Sequence, residues 1–428
     1  MLGHEENELI TRVGAGTPMG NLLREFWMPA MLSSELPAPD SDPVRVLLLG
    51  EHLIAFRATD GKVGLLAHNC PHRGASLFFG RNEENGLRCV YHGWKFSTSG
   101  ECVDMPNEPA ESDFRTRVKA VSYPTRERGG VIWAYLGPRR EPPPLPDLEG
   151  NMTPTSAQSV RAFQLRCNWL QVLEGDIDTS HVGFLHYGGL SADDQAPGSF
   201  SEYQLRDRTM HFEVIDTDGG AAYGARRQAT PGQTYWRVAQ WCMPFYSFTP
   251  PGVLGTKVGG NCRVPMDDTH TLAFNMASRT NAASSLRPNT SDWYGRFRTE
   301  QELSNDFLID RQMQRQNVGS SGYTGIASVS MQDAAMTAGM GPIFDRSTEH
   351  LGTSDAMVIR VRRRLLAAVE AHMKYGTVPM AVDNPEVYGV RSGGVILPDG
   401  TDWVAATQHL RQAFVEHRDL DPTLNGAL

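Results

Sequence analysis

The sequence lacks any run of about 18 apolar residues, so no membrane-spanning helix is expected. Its first residues, Met1-Leu2-Gly3-His4-Glu5-Glu6-Asn7-Glu8, have neither the basic region nor the apolar core of a secretory signal, and a cytoplasmic location is the expectation. Basic residues are in deficit, 40 against 49 acids for a net charge of −9. This argues against a nucleic-acid surface and suits a soluble protein that meets a small substrate or a protein partner. Cysteine is scarce as well. Six in 428 residues do not make a disulfide framework. Cys102, Cys167, Cys242 and Cys262 are scattered and read as small buried hydrophobes. No internal repeat is present, and no low-complexity tract beyond one proline-rich stretch.

What is there is an ordinary globular composition, 40% hydrophobic and 21% charged, in a chain too long for one core, so two domains are expected. Thr17-Pro18-Met19-Gly20 opens a short helix, with Thr17 as its cap and proline at the first helical position. Met19, Leu22, Leu23, Phe26 and Trp27 fall at helical spacing and read as packing residues. Val44–Leu48, His52–Phe56, Val63–Leu66 and Val131–Leu136 are short strand-like runs in a stretch of all-β texture. The proline-rich run from Gly137 to Pro146 then breaks regular structure and marks the boundary between domains 1–147 and 148–428, the first with its core at about 44–137. In the second part, Asn168 to His186 reads as a helix carrying acids and histidines, and residues 200–280 alternate in strand fashion. Ser354 to Tyr375 reads as a helix with Val358, Val361, Leu365, Val369 and Met373 inward and Arg362 to Arg364 on its solvated face. Gly376 stops it.

The chain is organised around Cys70 to Trp94. Cys70-Pro71-His72-Arg73-Gly74-Ala75-Ser76-Leu77 is followed, after a short insert, by Cys89-Val90-Tyr91-His92-Gly93-Trp94. Two Cys and two His suit either zinc or a [2Fe–2S] cluster in which two His replace two Cys on one iron. Structural zinc pairs more often enclose two to four residues, and the single residue between Cys70 and His72 favours the cluster. Each loop would give one Cys to one iron and one His to the other, with Gly74 and Gly93 letting the backbone come close.

This pattern, Cys-x-His-x-Gly-x-x-Leu then Cys-x-x-His-Gly-Trp, resembles the Rieske domain of non-haem iron oxygenases. Respiratory Rieske proteins carry an extra, disulfide-bonded cysteine in each loop; Ala75 and Tyr91 stand there in this chain. A Rieske ferredoxin is far shorter. Downstream, Asp178-x-x-His181-x-x-x-x-His186 looks like the iron-binding signature of the same family. On an ideal helix positions five apart diverge by roughly 140°, so the helix must end or loosen between the two histidines, which Gly183 permits. Two histidines and one carboxylate on one face of the metal leave the other positions open for oxygen. Asp306, Asp310, Asp333 and Asp345 are candidates for the third ligand. The run from Ser330 to Gly352 resembles the phthalate-dioxygenase branch, whose carboxylate ligand matches Asp333, while Asp310 reads as a structural ion-pair residue.

The resemblance runs from Gly16 to about Tyr375; the tail beyond Val390 is less informative. It implies an α+β protein, a small all-β Rieske domain followed by a catalytic domain of antiparallel sheet and helices (helix-grip, START-like). It further implies a terminal oxygenase of aromatic acids such as phthalate or halobenzoate, using O2, with a Rieske cluster on Cys70, His72, Cys89 and His92. Mononuclear Fe(II) would sit on His181, His186 and Asp333. Asp178 would bridge His181 to His92 of a neighbouring subunit, hence a trimer or stacked-trimer hexamer. Electrons would come from a separate flavin and iron–sulfur reductase using NADH or NADPH. An aromatic carboxylate wants an arginine in an otherwise apolar pocket, and Arg226, Arg227 and Arg237 on strand-like runs are candidates. Strand alternation allows at most one of Arg226 and Arg227 to face it. Tyr246 and Phe248 read as core. Two other readings stay open: an ether-cleaving monooxygenase, and an electron carrier using the first site alone.

Overall fold

The computed structural model describes residues 2–109, 111–152, 158–278 and 285–413. The end of the expected strand region, 279 and 280, and the last residues of the second domain, 414–428, lie outside them.

The chain opens with helices α1 (His4–Thr11) and α2 (Pro18–Arg24). Thr17 caps α2 by accepting from the Gly20 amide. The helix ends sooner than its apolar spacing suggests: Trp27 is already the first residue of strand β1 (Trp27–Leu32), yet Phe26 and Trp27 are both buried. Strands β2 (Val44–Leu48), β3 (Glu51–Arg57) and β4 (Val63–Ala67) form one antiparallel sheet. A second joins β5 (Arg81–Glu83), β6 (Gly86–Arg88), β7 (Lys95–Phe96) and β8 (Cys102–Asp104). A third joins β1 to β10 (Val131–Tyr135) and β9 (Thr125–Arg128). A separate small core of Ile54, Phe56, Leu66, Leu77, Leu87, Trp94 and Phe96 encloses Cys70 and Cys89.

The larger part holds an eight-stranded antiparallel sheet, in the order β11 (Gln158–Leu165), β17 (Thr271–Ser278), β16 (Gly259–Pro265), β15 (Tyr246–Phe248), β14 (Gln233–Cys242), β13 (Gly220–Gln228) and β12 (His211–Asp216). The eighth strand, β18 (Gly393–Pro398), pairs with β14 and comes from the tail that carried little sequence signal. Short helix α3 (Glu149–Met152) precedes β11, and α5 (Phe200–Arg206) occupies the start of the stretch expected to be strand. Helix α4 (Trp169–Ile177) packs against β15 and β16, and α8 (Ala356–Tyr375) against β12 and β13. Between them run α6 (Arg311–Gln316) and α7 (Val329–Gly339). This is the expected α+β order, an all-β unit followed by antiparallel sheet and helices. Tyr246 and Phe248 are buried in the core, as read, and all six cysteines are buried and unbridged.

Three details differ from the sequence reading. In α8, Met373 is exposed. Arg362 is buried rather than solvated. Its Nε donates to Glu174 at 2.6 Å, and its two terminal nitrogens reach Glu349 at 2.5 and 2.8 Å. Among the described residues Asp310 makes no ion pair; it caps α6 by accepting from the amides of Gln312 and Met313.

The Glu174 contacts fix the helix that leads into the site. Arg346, fully buried, donates to the same carboxylate at 2.9–3.1 Å and to Asn7 Oδ1 at 3.1 Å, so α1, α4 and α8 meet on one ion network. Gln171 on α4 also bonds the carbonyls of Thr337 and Gly341, tying α4 to the end of α7. Burial alone pushes the Glu174 carboxyl up, and the two guanidinium groups more than reverse this, holding it below its ordinary value. Glu174→Gln strips charge from between two buried cations and is expected to cost about 3–5 kcal/mol, read as a lower denaturant midpoint. Because the folded carboxyl is depressed, its contribution is present above the ordinary glutamate range and fades as pH falls through the folded value. The gap between wild type and E174Q should therefore narrow on acidification.

Candidate metal centres

The two Cys/His loops fold alike despite their different spacing. In the first, the Cys70 amide donates to the Ala75 carbonyl and the Gly74 amide to the Cys70 carbonyl, at 2.8 and 2.9 Å. In the second, Cys89 donates to Trp94 and Gly93 to Cys89 at the same distances. Glycine four residues after each cysteine, at φ 73° and 81°, is the shared requirement, since a left-handed residue must close each turn. Arg88 braces the second loop, bonding the Gly93 carbonyl and pairing with Glu83 and Asp104. Cys89 lies against Cys70, whose thiol is pushed up to about 11, mainly by burial. The rings of His72 and His92 are 4.4 Å apart, and His72 stacks on Trp94.

Cysteine therefore neighbours cysteine and histidine neighbours histidine. A single tetrahedral zinc needs all four donors within about 4 Å of one another. Among the described residues, the group of three or more such donors that converges within 4.8 Å is a different one, so the quartet fits a two-iron cluster better than one ion. Binding it displaces protons from the buried thiols.

The converging group is His181, His186 and Asp333. The expected helix from Asn168 to His186 is not continuous. Asn168 caps α4, which ends at Ile177, and Asp178 turns extended while its carboxylate accepts from the amide and hydroxyl of Ser180. A single π turn, Val182–His186, then begins. Its wider winding swings positions five apart onto one face, which removes the 140° divergence of an α-helix. The two Nε2 atoms lie 3.2 Å apart, and Asp333 Oδ1 is 3.1 Å from that of His186 and 3.5 Å from that of His181. Donors on one octahedral face of a metal with bonds of about 2.1 Å are about 3.0 Å apart.

Tautomers sharpen the fit. Gln332, buried beside His186, donates its amide to the carbonyls of Ser320 and Ile326 at 3.1 and 3.0 Å, so its Oε1 faces His186 Nδ1 at 2.7 Å. His186 therefore donates from Nδ1 to Gln332 and turns its Nε2 to Asp333. His181 Nδ1 faces Asp178 Oδ2 at 3.4 Å, which turns its Nε2 the same way. Two imidazole nitrogens and a carboxylate aimed at one point are the donor set a cation needs. Burial pushes the Asp178 carboxyl up, and the bonds from His181 and Ser180 more than offset it, leaving it below its ordinary value.

A cavity of about 300 Å³ adjoins the triad, and Arg237 lines it. Arg237 Nε donates to Thr179 Oγ1 at 2.6 Å. Arg226 points away and is 48% exposed beside Glu213. Arg227 is buried, with its Nε on the Asp207 carbonyl, and does not line the cavity. Asp306 and Asp345 lie elsewhere; the latter caps the turn at Ser347. Gln332, Thr179, Asp176, Arg263, Asn261 and Asn275 drew no attention in the sequence, although Gln332 is the immediate neighbour of Asp333.

Residues 26–123 match the Rieske [2Fe-2S] domain, and residues 134–424 match the LigXa C-terminal domain like family. The chain is 43% identical to the 3-chlorobenzoate-3,4-dioxygenase oxygenase subunit of Comamonas testosteroni, over 96% of this chain and 99% of that one. It is 38% identical to the phthalate 4,5-dioxygenase oxygenase subunit of Pseudomonas putida, over 87% of each. The chain belongs to the Rieske non-haem iron oxygenases. Dicamba monooxygenase, at 19% identity, has the same fold over 82% of this chain and 99% of its own, with a TM-score of 0.56. As a Rieske oxygenase the chain is an enzyme that works with a [2Fe–2S] cluster, a mononuclear non-haem iron and O2.

In this oxygenase Gln332 holds the tautomer of His186, so Gln332→Met should weaken Fe(II) binding by about 10- to 100-fold. Titration of iron into apoprotein with an intact Rieske cluster measures this; unchanged affinity contradicts the orientation argument.

Proposed function

We propose that this chain is the terminal component of a system that hydroxylates the ring of an aromatic carboxylate. The observation that carries the reading is Arg237, which lines the cavity beside the triad and, among the described residues, has no carboxylate among its hydrogen-bond partners. A guanidinium fork orients a carboxylate through two parallel hydrogen bonds, directing one edge of the ring at the metal. The relatives named for 3-chlorobenzoate and phthalate support an aromatic acid and favour ring hydroxylation over ether cleavage.

We assign the cluster to Cys70, His72, Cys89 and His92 and the mononuclear iron to His181, His186 and Asp333. When bound, that iron supplies oxygen activation. The chain's own residues do the rest: Gln332 and Asp178 orient the two imidazoles, Arg237 positions the acid, and the two domains meet near residue 147. Asp178 is 27% exposed on its side chain and, among the described residues, bonds only Ser180 and His181, which leaves room for a further partner. Its assignment as the bridge to His92 of another subunit rests on this, and on exposed apolar side chains at both sites. Val90 and Tyr91 flank His92 at 56% and 57% exposure, and Phe184 lies between the ligand histidines at 49%. Burial of these in a trimer or stacked-trimer hexamer fits the charge-sensitive route. Electrons would come from a separate NAD(P)H-dependent flavin and iron–sulfur reductase.

Fully metallated enzyme should contain about three irons per chain, two in the cluster and one in the triad. His181→Ala should hold about two and form no product. A carrier without an oxygenase site would show two irons in both. Asp178→Asn should keep all three irons yet slow cluster reoxidation by about 10- to 100-fold in rapid mixing with substrate and O2; a strictly monomeric, fully active enzyme rules the bridge out. Ring diols from benzoates support ring hydroxylation, whereas formaldehyde or a phenol from methoxy- or phenoxybenzoates points to ether cleavage.

A further inference from the structure

Two arginines line the cavity, and their situations differ. Arg263 on β16 is fully committed. Its Nε and Nη2 each donate to Asp176 at 2.7 Å, one to each carboxylate oxygen, and its Nη1 donates to Asn275 Oδ1 at 3.2 Å. Asp176 also accepts the Ser247 hydroxyl at 2.5 Å, which completes a closed, neutral pair set into the wall. Arg237 on β14 donates its Nε to Thr179, lies beside the Tyr235 hydroxyl and has no ion-pair partner among the described residues. Arg237 and Tyr223 both line the cavity. Arg227 stands on the neighbouring strand outside the lining and adds no hydrogen-bonding group to it. The wall around Arg263 otherwise offers the neutral side chains of Asn261, Asn275 and Thr249.

We propose that the cavity accepts aromatic monocarboxylates with an uncharged second substituent and rejects aromatic dicarboxylates, because of the two arginines that line it Asp176 holds Arg263 neutralised, while Arg237 has no ion-pair partner among the described residues. A first carboxylate meets Arg237. A second, on the same ring, reaches a wall whose only cation is already bidentately paired, and it faces the Asp176 charge with amide and hydroxyl groups as its sole compensation. An ionised carboxylate left unpaired in a low-dielectric site is strongly disfavoured, whereas a hydroxyl or halogen in that position is accommodated. Asp176 is thus a specificity-determining residue. This rests on the aromatic-acid reading of the site and narrows it.

The test is equilibrium dialysis of the iron-loaded oxygenase, kept anaerobic, against benzoate, 3-hydroxybenzoate, phthalate and isophthalate. The two monocarboxylates are expected to bind at least tenfold more tightly than the two dicarboxylates. Asp176→Asn, which frees the Arg263 charge, should move the ratio at least tenfold toward the dicarboxylates. If wild type binds phthalate or isophthalate as tightly as benzoate, the proposal is overturned while the aromatic-acid reading stands. If no acid binds, that reading falls and this one with it. Folded Asp176→Asn with an unchanged ratio overturns the role of Asp176, and a variant that does not fold leaves the wild-type panel to decide.

Discussion

Three acids fall within the five residues at the end of helix α4, and each answers to a different part of the molecule. Glu174 is buried between Arg346 and Arg362, Asp176 is paired with Arg263 in the cavity wall, and Asp178 faces His181 where the helix ends. The first of these constrains the other two. A carboxylate buried against two guanidinium groups cannot shift without leaving charges unpaired in a low dielectric. With Glu174 fixed, the last turn of α4 is fixed, and so is the point at which Asp178 leaves the helix. The sharp turn closed by Ser180 then sets where the π turn begins. Metal geometry at this site is therefore inherited from a buried ion network that itself touches neither histidine.

The second supporting helix divides its work between neighbours. Gln332 and Asp333 are adjacent on α7, so their side chains diverge by about 100°. One reaches behind His186 to hold its Nδ1 proton, and the other reaches in front to meet its Nε2. A shift of α7 moves one proposed ligand and the orienter of another together, which preserves their relation. Gln171 on α4, bonded to the Thr337 and Gly341 carbonyls at the far end of α7, couples this pair back to the first helix.

Much of this was legible in the sequence where chemistry is local. The Cys70–Trp94 pattern, the cap at Thr17, the strands from Val44 to Ala67 and the end of α8 at Gly376 all depend on residues close in the chain. What was hidden depends on distant partners. Arg362 sits in a run of three arginines that reads as solvated, and only Glu174, 188 positions away, explains its burial. Asp176 and Arg263 are 87 positions apart. Strand β18 lies in an undistinguished tail because its pairing comes from β14, not from its own alternation. The interruption of the helix expected from Asn168 to His186 was half legible: the spacing of His181 and His186 demands one. The loosening between them is the π turn, with Gly183 inside it as expected, whereas the break that Asp178 makes ahead of both histidines was not legible.

The two metal sites solve opposite electrostatic problems. Around the cluster, two buried thiols must lose protons to bind, so the loops gain stability only when positive charge arrives to replace them. At the triad, the two imidazoles turn their Nε2 atoms inward, and one carboxylate beside them supplies a single negative charge. A divalent ion there keeps a net charge of about +1, beside the free guanidinium of Arg237 across the cavity. In the proposed reading, two positive centres in one small cavity would attract an anion and hold it between them. In that reading Arg237 must stay unpaired, and the lack of an ion pair to it among the described residues is as much a part of the proposed site as the metal donors are.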